Sequence, residues 1–287
     1  MLGDRQIAFI GSGIMGEAMI GGLLAKEVVT AHQIIASDPL ESRRFYIEKT
    51  YGVRTTSSNT EAIQGAAIVV LSVKPQILGA LMPTLNRQID PDALVMSIVA
   101  GATIQSISQG LSHAPIVRVM PNTPAQVGMS MTVWTASPEV TDTQRSDTRR
   151  ILQALGEEMA VPNEQEVDLA TALSGAGPGF VFLFIEAMID AGVQMGLSRT
   201  QAQTLTLQTI AGSVELMRQT NEHPTVLRNR VTSPGGVTAA GLYELEKGGL
   251  RTTLCDAVYA AFECTQKLSH LNESFFPQRP SSTVIGV

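Results

Sequence analysis

The 287-residue sequence predicts two domains: an α/β domain on a doubly wound, mostly parallel sheet, then an all-α domain. Three observations predict it. Short β-branched apolar runs alternate with helix-period segments through the first half. A glycine-rich turn joins the first such run to the first helix. After about Pro162 strand signals vanish and long helix-compatible stretches take over.

In order, residues 6–10, 34–37, 68–72, 94–99 and 116–120 read as strands buried on both faces, bounded by Gly, Pro or polar residues. Between them, 14–26, 41–51, 76–88 and 104–111 read as helices. Residues 129–134 form a further strand, and 142–155 a helix capped by Thr141. The second domain has helices at 166–173, 180–195, 199–219, 238–247 and 252–268. Gly196 stops the second of these, Ser198 caps the third, and Gly248-Gly249 end the fourth. The domains are therefore 1–162 and 163–270, with a flexible tail at 271–287. Residues 180–185, Phe-Val-Phe-Leu-Phe-Ile, are hydrophobic all round, and such a helix must be buried on every side. A domain of roughly 110 residues supplies too little cover, which predicts an intertwined homodimer.

Composition excludes several function classes. Twenty Lys and Arg against 26 Asp and Glu give a net charge of −6, which is wrong for a nucleic-acid partner. No cationic leader precedes the first strand. The most apolar segment, 180–189, contains Glu186 and is followed by Asp190, short of the roughly 18 residues of a membrane span. Cys255 and Cys264 fall on opposite sides of a helix, and the four histidines are scattered, so neither a disulfide nor a metal site is expected. The expectation is a soluble cytoplasmic protein without metal or membrane partner.

The first strand runs through Ile10 into Gly11-Ser12-Gly13-Ile14-Met15-Gly16, a GxGxxG turn in the strand-to-helix context that binds a dinucleotide. Gly11 permits the turn, Gly13 admits the pyrophosphate to the backbone, and Gly16 lets helix pack on strand; the helix N-terminus then holds the phosphates. This makes the first domain a Rossmann domain. Asp38 stands where an acidic residue binds the adenosine ribose and repels a 2′-phosphate, yet Arg43 and Arg44 follow and are able to bind one. The coenzyme is NADH or NADPH, with Asp38 leaning towards NADH.

Further segments fall at strand ends, where ligands bind. Val73-Lys74-Pro75 offers a charge near the coenzyme and a proline for the next helix start, and Val99-Ala100 in the segment 97–101 offers small residues beside the nicotinamide. Asn122 lies in the two-proline loop 118–124. In the helical half, residues 231–238, Val-Thr-Ser-Pro-Gly-Gly-Val-Thr, open a helix whose free N–H groups suit a carboxylate; alternatively, Ser233 or Thr238 merely caps it.

Taken together with 174–178 (Ser-Gly-Ala-Gly-Pro), these segments resemble, in order, those of pyrroline-5-carboxylate reductases, and the resemblance covers residues 6–270. It implies reduction of L-1-pyrroline-5-carboxylate to L-proline by NADPH or NADH, and a helical dimerisation domain whose dimers often assemble into decamers. It also implies substrate contacts at Ser233, Gly236, Val237 and Thr238, a substrate-pocket glutamate at Glu164 and an adenosine-side asparagine at Asn59. Val237 and Ala176 depart mildly from the family pattern. Thr238 is the expected donor to the imine nitrogen, an instance of electrostatic preorganisation. A 6-phosphogluconate-type dehydrogenase is disfavoured because residues 176–195 hold no lysine to serve as base. A non-catalytic dinucleotide-binding protein is the alternative of a different class.

Overall fold

The structure, a computed structural model, describes residues 2–274. It divides into two compact units, Met1–Ala176 with the chain from Ala261 on, and Gly177–Ala260. The expected boundary at 162 falls inside the first unit. The expected tail differs too: residues 271–274 continue the last helix, and 275–287 lie outside the described residues.

The first unit carries one eight-stranded sheet: β1 (Ile7–Ile10), β2 (Ile34–Ser37), β3 (Arg54–Thr56), β4 (Ile68–Leu71), β5 (Leu94–Ser97), β6 (Ile116–Met120), β7 (Ser130–Ala136) and β8 (Gly156–Ala160). Their order is β3-β2-β1-β4-β5-β6-β7-β8, with every pairing parallel except β6 with β7. The chain order reverses between β1 and β4, the switch point at which a doubly wound sheet binds ligands. The register sets Ile10 beside Ser37 on one side and Leu71 on the other, so the loops after these three strands emerge together.

Strand side chains alternate between two cores. Ile7 and Phe9 join Met19 and Leu23 of α1 (Ile14–Ala25), Ile47 of α2 (Glu41–Tyr51) and Ile151 of α6 (Asp142–Gln153) on one face. Ala8 and Ile10 join the other face with Ala62 of α3 (Asn59–Ala62), Leu78 and Met82 of α4 (Pro75–Leu85) and Ile107 of α5 (Ile104–Leu111). At roughly 1.5–3 kcal/mol for each fully buried large aliphatic side chain, these layers hold the sheet edge rigid beneath the loops.

α7 (Glu164–Ala170) leads through a π-turn at Thr171–Gly175 into α8 (Gly177–Gln194). The 164–194 helix is therefore continuous, 31 residues long, and long and apolar enough by length and composition to cross a membrane. Glu186 and Asp190 still interrupt its apolar run, and Pro178 sits in the first turn of α8, where it does not break the helix.

The second unit comprises α8, α9 (Arg199–Thr220), α10 (Pro224–Arg230), α11 (Val237–Lys247) and the first part of α12 (Leu250–Ser274). Ser198 caps α9 in a reciprocal capping box with Gln201, as its sequence predicts. α8 and α9 meet closely at Gly192, where an added Cβ would lie 2.9 Å from that of Ala202. Little else is covered within the single chain: Val181, Phe182, Leu183 and Phe184 are all large, apolar and exposed, Phe182 at 62%. The far end of α12 belongs to the first unit, where Leu268 and Ser269 lie against Gly101.

Candidate active site

The glycine turn forms a cradle on β1 and α1. Gly11 has φ of +94°, and a Cβ there would lie 2.8 Å from the Ser72 carbonyl oxygen. A Cβ on Gly16 would come equally close to the Gly11 carbonyl oxygen, so only glycine lets the helix approach the strand end. Gly13 is the N-cap of α1, no side chain caps the helix, and the space beside Gly13 is open. The first-turn N–H groups of α1 thus face outward with the positive end of the helix dipole behind them. That geometry fits the pyrophosphate of a dinucleotide.

Asp38, the candidate ribose-binding residue, ties the end of β2 to this cradle. Its Oδ2 accepts hydrogen bonds from the N–H and hydroxyl of Ser12, both at 3.1 Å, and its Oδ1 accepts one from the Leu40 N–H at 3.0 Å. The Ser37 hydroxyl, one residue earlier, donates to Asn59 Oδ1 at 2.7 Å, so Asn59 does reach the end of β2. Arg43 donates from Nε to the Ser12 carbonyl at 2.6 Å and from Nη2 to Glu17 at 2.5 Å. Arg44 is turned to the carbonyls of Asp38 and Pro39. Tyr46 and Tyr51 donate to the other oxygen of Glu17, at 3.1 and 2.9 Å. Burial pushes the Glu17 carboxyl up, but the hydrogen bonds from Arg43, Tyr51 and Tyr46 and the charge of Arg43 outweigh it and hold the group below the usual carboxylate range. Burial, then the hydrogen bond to Glu17 and its charge, push Tyr51 up to about 12.

The remaining coenzyme candidates divide. Val73 packs beside Gly11, Lys74 is the N-cap of α4, and Pro75 opens that helix. Val99 is buried and donates its N–H to Ser97 Oγ, followed by Ala100 and the left-handed Gly101. Asn122 is held in place by four side-chain hydrogen bonds. Its side-chain amide donates to the carbonyl and hydroxyl of Ser174 in the π-turn, and its Oδ1 accepts from Ser130 Oγ and the Met131 N–H.

Glu164 belongs to a partly buried charge cluster that the residue pattern alone does not reveal. Its Oε1 accepts from Arg118 Nη1 at 3.1 Å and from the Ile104 N–H, in the first turn of α5, at 2.8 Å. Asp168 accepts from the other terminal nitrogen of Arg118, whose side chain is only 3% exposed.

The other predicted residues lie in the second unit, at the start of α11. Gly236 is its N-cap and no side chain caps it, so the alternative that Ser233 or Thr238 serves as an ordinary cap fails. The Gly236 N–H closes a turn onto the Ser233 carbonyl at 3.0 Å, and a Cβ on Gly236 would meet Ser233 Oγ at 2.4 Å. Gly235 has φ of +67°, Val237 is almost fully exposed at 91%, and Thr238 is half-buried in the first turn. Uncapped N–H groups beside two hydroxyls are chemistry that suits a small carboxylate.

Known proteins resemble both parts of the chain. Residues 164–268 match the family model for pyrroline-5-carboxylate reductase dimerisation, and residues 6–101 match that for coenzyme F420-dependent NADP oxidoreductases. The chain is 42% identical to the pyrroline-5-carboxylate reductase of Synechocystis sp. over 92% of its length and 98% of the relative's. It is 38% identical to that of Pseudomonas aeruginosa, over 92% of this chain and 97% of the relative. The crystal structure of Plasmodium falciparum pyrroline carboxylate reductase with NADP bound superposes with a TM-score of 0.86 at 34% identity, covering 92% of this chain and 98% of that one.

Proposed function

The chain belongs to the pyrroline-5-carboxylate reductase family and reduces L-1-pyrroline-5-carboxylate to L-proline with NAD(P)H, and we propose that the turn at 233–238 grips the substrate while the cradle at 10–16 holds the coenzyme. When bound, the coenzyme supplies a hydride for the imine carbon, and a proton from solvent completes the amine.

In this reading the N–H groups at the start of α11 bind the substrate carboxylate, Ser233 and Gly236 shape the turn, and Val237 lines it. The Thr238 hydroxyl donates to the ring nitrogen as its basicity grows. On the coenzyme side, Gly11, Gly13 and Gly16 with Ser12, Ile14 and Met15 hold the pyrophosphate, and Asp38 with Asn59 holds the adenosine. Val73, Lys74, Pro75 and Asn122 contribute to the coenzyme site, Val99 and Ala100 flank the nicotinamide half, and Glu164, held by Arg118 and the Ile104 N–H, belongs to the substrate pocket. The observation that carries the substrate assignment is the uncapped N-terminus of α11. Purified protein given pyrroline-5-carboxylate with NADH or NADPH should consume coenzyme and yield proline. No consumption of either coenzyme would contradict the reading.

The exposed apolar face Val181–Phe184 supports an intertwined homodimer, and further assembly into a decamer is part of the same proposal. Light scattering coupled to size exclusion tests both. We assign the enzyme to the cytoplasm, in keeping with two free, exposed cysteines, and take the apolar 164–194 helix to be covered by a partner copy rather than by lipid. Recovery in the membrane fraction would refute this.

A further inference from the structure

Resting on the assignment of the glycine turn as the coenzyme site, we infer that Glu17 sets coenzyme specificity: it neutralises Arg43 and, with Asp38, keeps the ribose position acidic, favouring NADH over NADPH.

Two arginines follow Asp38 at the start of α2, and both are occupied. Arg44 is turned to the backbone carbonyls of Asp38 and Pro39. The guanidinium of Arg43 forks between the Ser12 carbonyl and Glu17, and lies 5.2 Å above the ring of Tyr46. The Arg43–Glu17 pair is partly buried, with side chains 24% and 20% exposed, so solvent screens it less than a surface pair. Glu17 is fixed as well, because Tyr46 and Tyr51 both donate to its second oxygen.

Arg43 bonds to the carbonyl of Ser12, and the N–H and hydroxyl of the same residue bond to Asp38, so this charge lies next to the ribose-binding carboxylate. A 2′-phosphate placed beside Asp38 meets that carboxylate and two guanidiniums already engaged, Arg43 by Glu17 and the Ser12 carbonyl and Arg44 by the carbonyls of Asp38 and Pro39. A ribose hydroxyl meets Asp38 as an acceptor and carries no charge to repel. Removing the charge of Glu17 leaves Arg43 on its Ser12 anchor with its positive charge no longer neutralised, and a planar guanidinium of that kind suits a phosphate. Glu17 is thus a positioning residue for specificity and acts through Arg43.

Direct binding tests this without turnover. NADH and NADPH are titrated separately into the full chain, following coenzyme fluorescence. The wild type should bind NADH more tightly than NADPH, and the reverse order would overturn the inference. Glu17→Gln keeps the side-chain shape, and should tighten NADPH binding about tenfold while moving NADH less than about twofold. The double variant E17Q/R43M should lose that gain. If Glu17→Gln instead weakens NADPH binding, Glu17 presents Arg43 to the phosphate and the inference fails. An unchanged ratio would make Glu17 a mere tie between α1 and α2. Should Glu17→Gln not fold, Arg43→Met alone decides: NADPH affinity within about twofold of wild type supports the inference, and a larger loss overturns it. Failure of the coenzyme assignment itself looks different, since neither dinucleotide would bind the wild type.

Discussion

Replacing Glu164 by alanine tests whether this residue is a brace or a substrate contact. The change removes two hydrogen bonds at once, from Arg118 at 3.1 Å and from the Ile104 N–H at 2.8 Å. A hydrogen bond to a charged group contributes about 1.5–3 kcal/mol, and an orphaned buried donor costs about 1–3 kcal/mol. Glu164 is 31% exposed, so water partly replaces it, and Asp168 still pairs with Arg118. The net loss should be about 2–3 kcal/mol, lowering the thermal midpoint by roughly 4–12 °C. Asp168→Ala should cost more, about 3–5 kcal/mol, because Asp168 is the more buried partner of an arginine 3% exposed. Glu164→Gln, which keeps an acceptor for Ile104, should cost only about 1 kcal/mol. Melting is followed by circular dichroism at one fixed protein concentration, since a self-associating chain melts in a concentration-dependent way. If Glu164→Ala melts within about 1 °C of wild type while KM for the substrate rises, the brace argument is wrong.

Other consequences follow from the same geometry. Gly16→Ala puts a Cβ 2.8 Å from the Gly11 carbonyl oxygen and should weaken coenzyme binding at least about tenfold by fluorescence titration. Thr238→Ala should lower kcat about 10²–10³-fold with coenzyme affinity unchanged, and full kcat would remove the hydroxyl from the mechanism. His113 is buried with Nε2 at 2.7 Å from the Ala93 carbonyl oxygen; burial lowers its pKa below 6.5, and the backbone hydrogen bond only partly offsets this. The unfolded chain therefore binds the extra proton first. Stability from this group is complete above pH about 6.5 and falls as the pH drops towards the folded pKa; His113→Gln should remove that slope from denaturant midpoints measured against pH.

Much of this was legible in the residues, and the exceptions have physical causes. Central parallel strands such as Ile68–Leu71 are buried on both faces and announce themselves as β-branched runs. β3 and β8 escaped notice because they are the two sheet edges, where Arg54 and the pair Glu157 and Glu158 are tolerated and no apolar run is needed. α10 escaped for its shortness and polarity. In the candidate site, the glycine turn was readable because backbone geometry demands those residue types, whereas the 231–238 segment became a substrate candidate only through its resemblance to a known family. Glu17 and the cluster of Arg118 with Glu164 and Asp168 were not: their partners lie 26 to 50 residues away, and no local pattern encodes such pairing. The basic residues after Asp38 were visible, but their disposition was not. Arg43 and Arg44 look alike in sequence, yet one is held by a carboxylate and the other by carbonyls.

The most direct test of the central claim follows the transferred hydrogen itself. Coenzyme deuterated at the hydride position, incubated with pyrroline-5-carboxylate and the full chain, should deliver deuterium to the proline carbon that was the imine carbon, one deuteron for each coenzyme oxidised. Coenzyme oxidation without label in proline, or proline labelled from deuterated water at that carbon instead, would contradict the account.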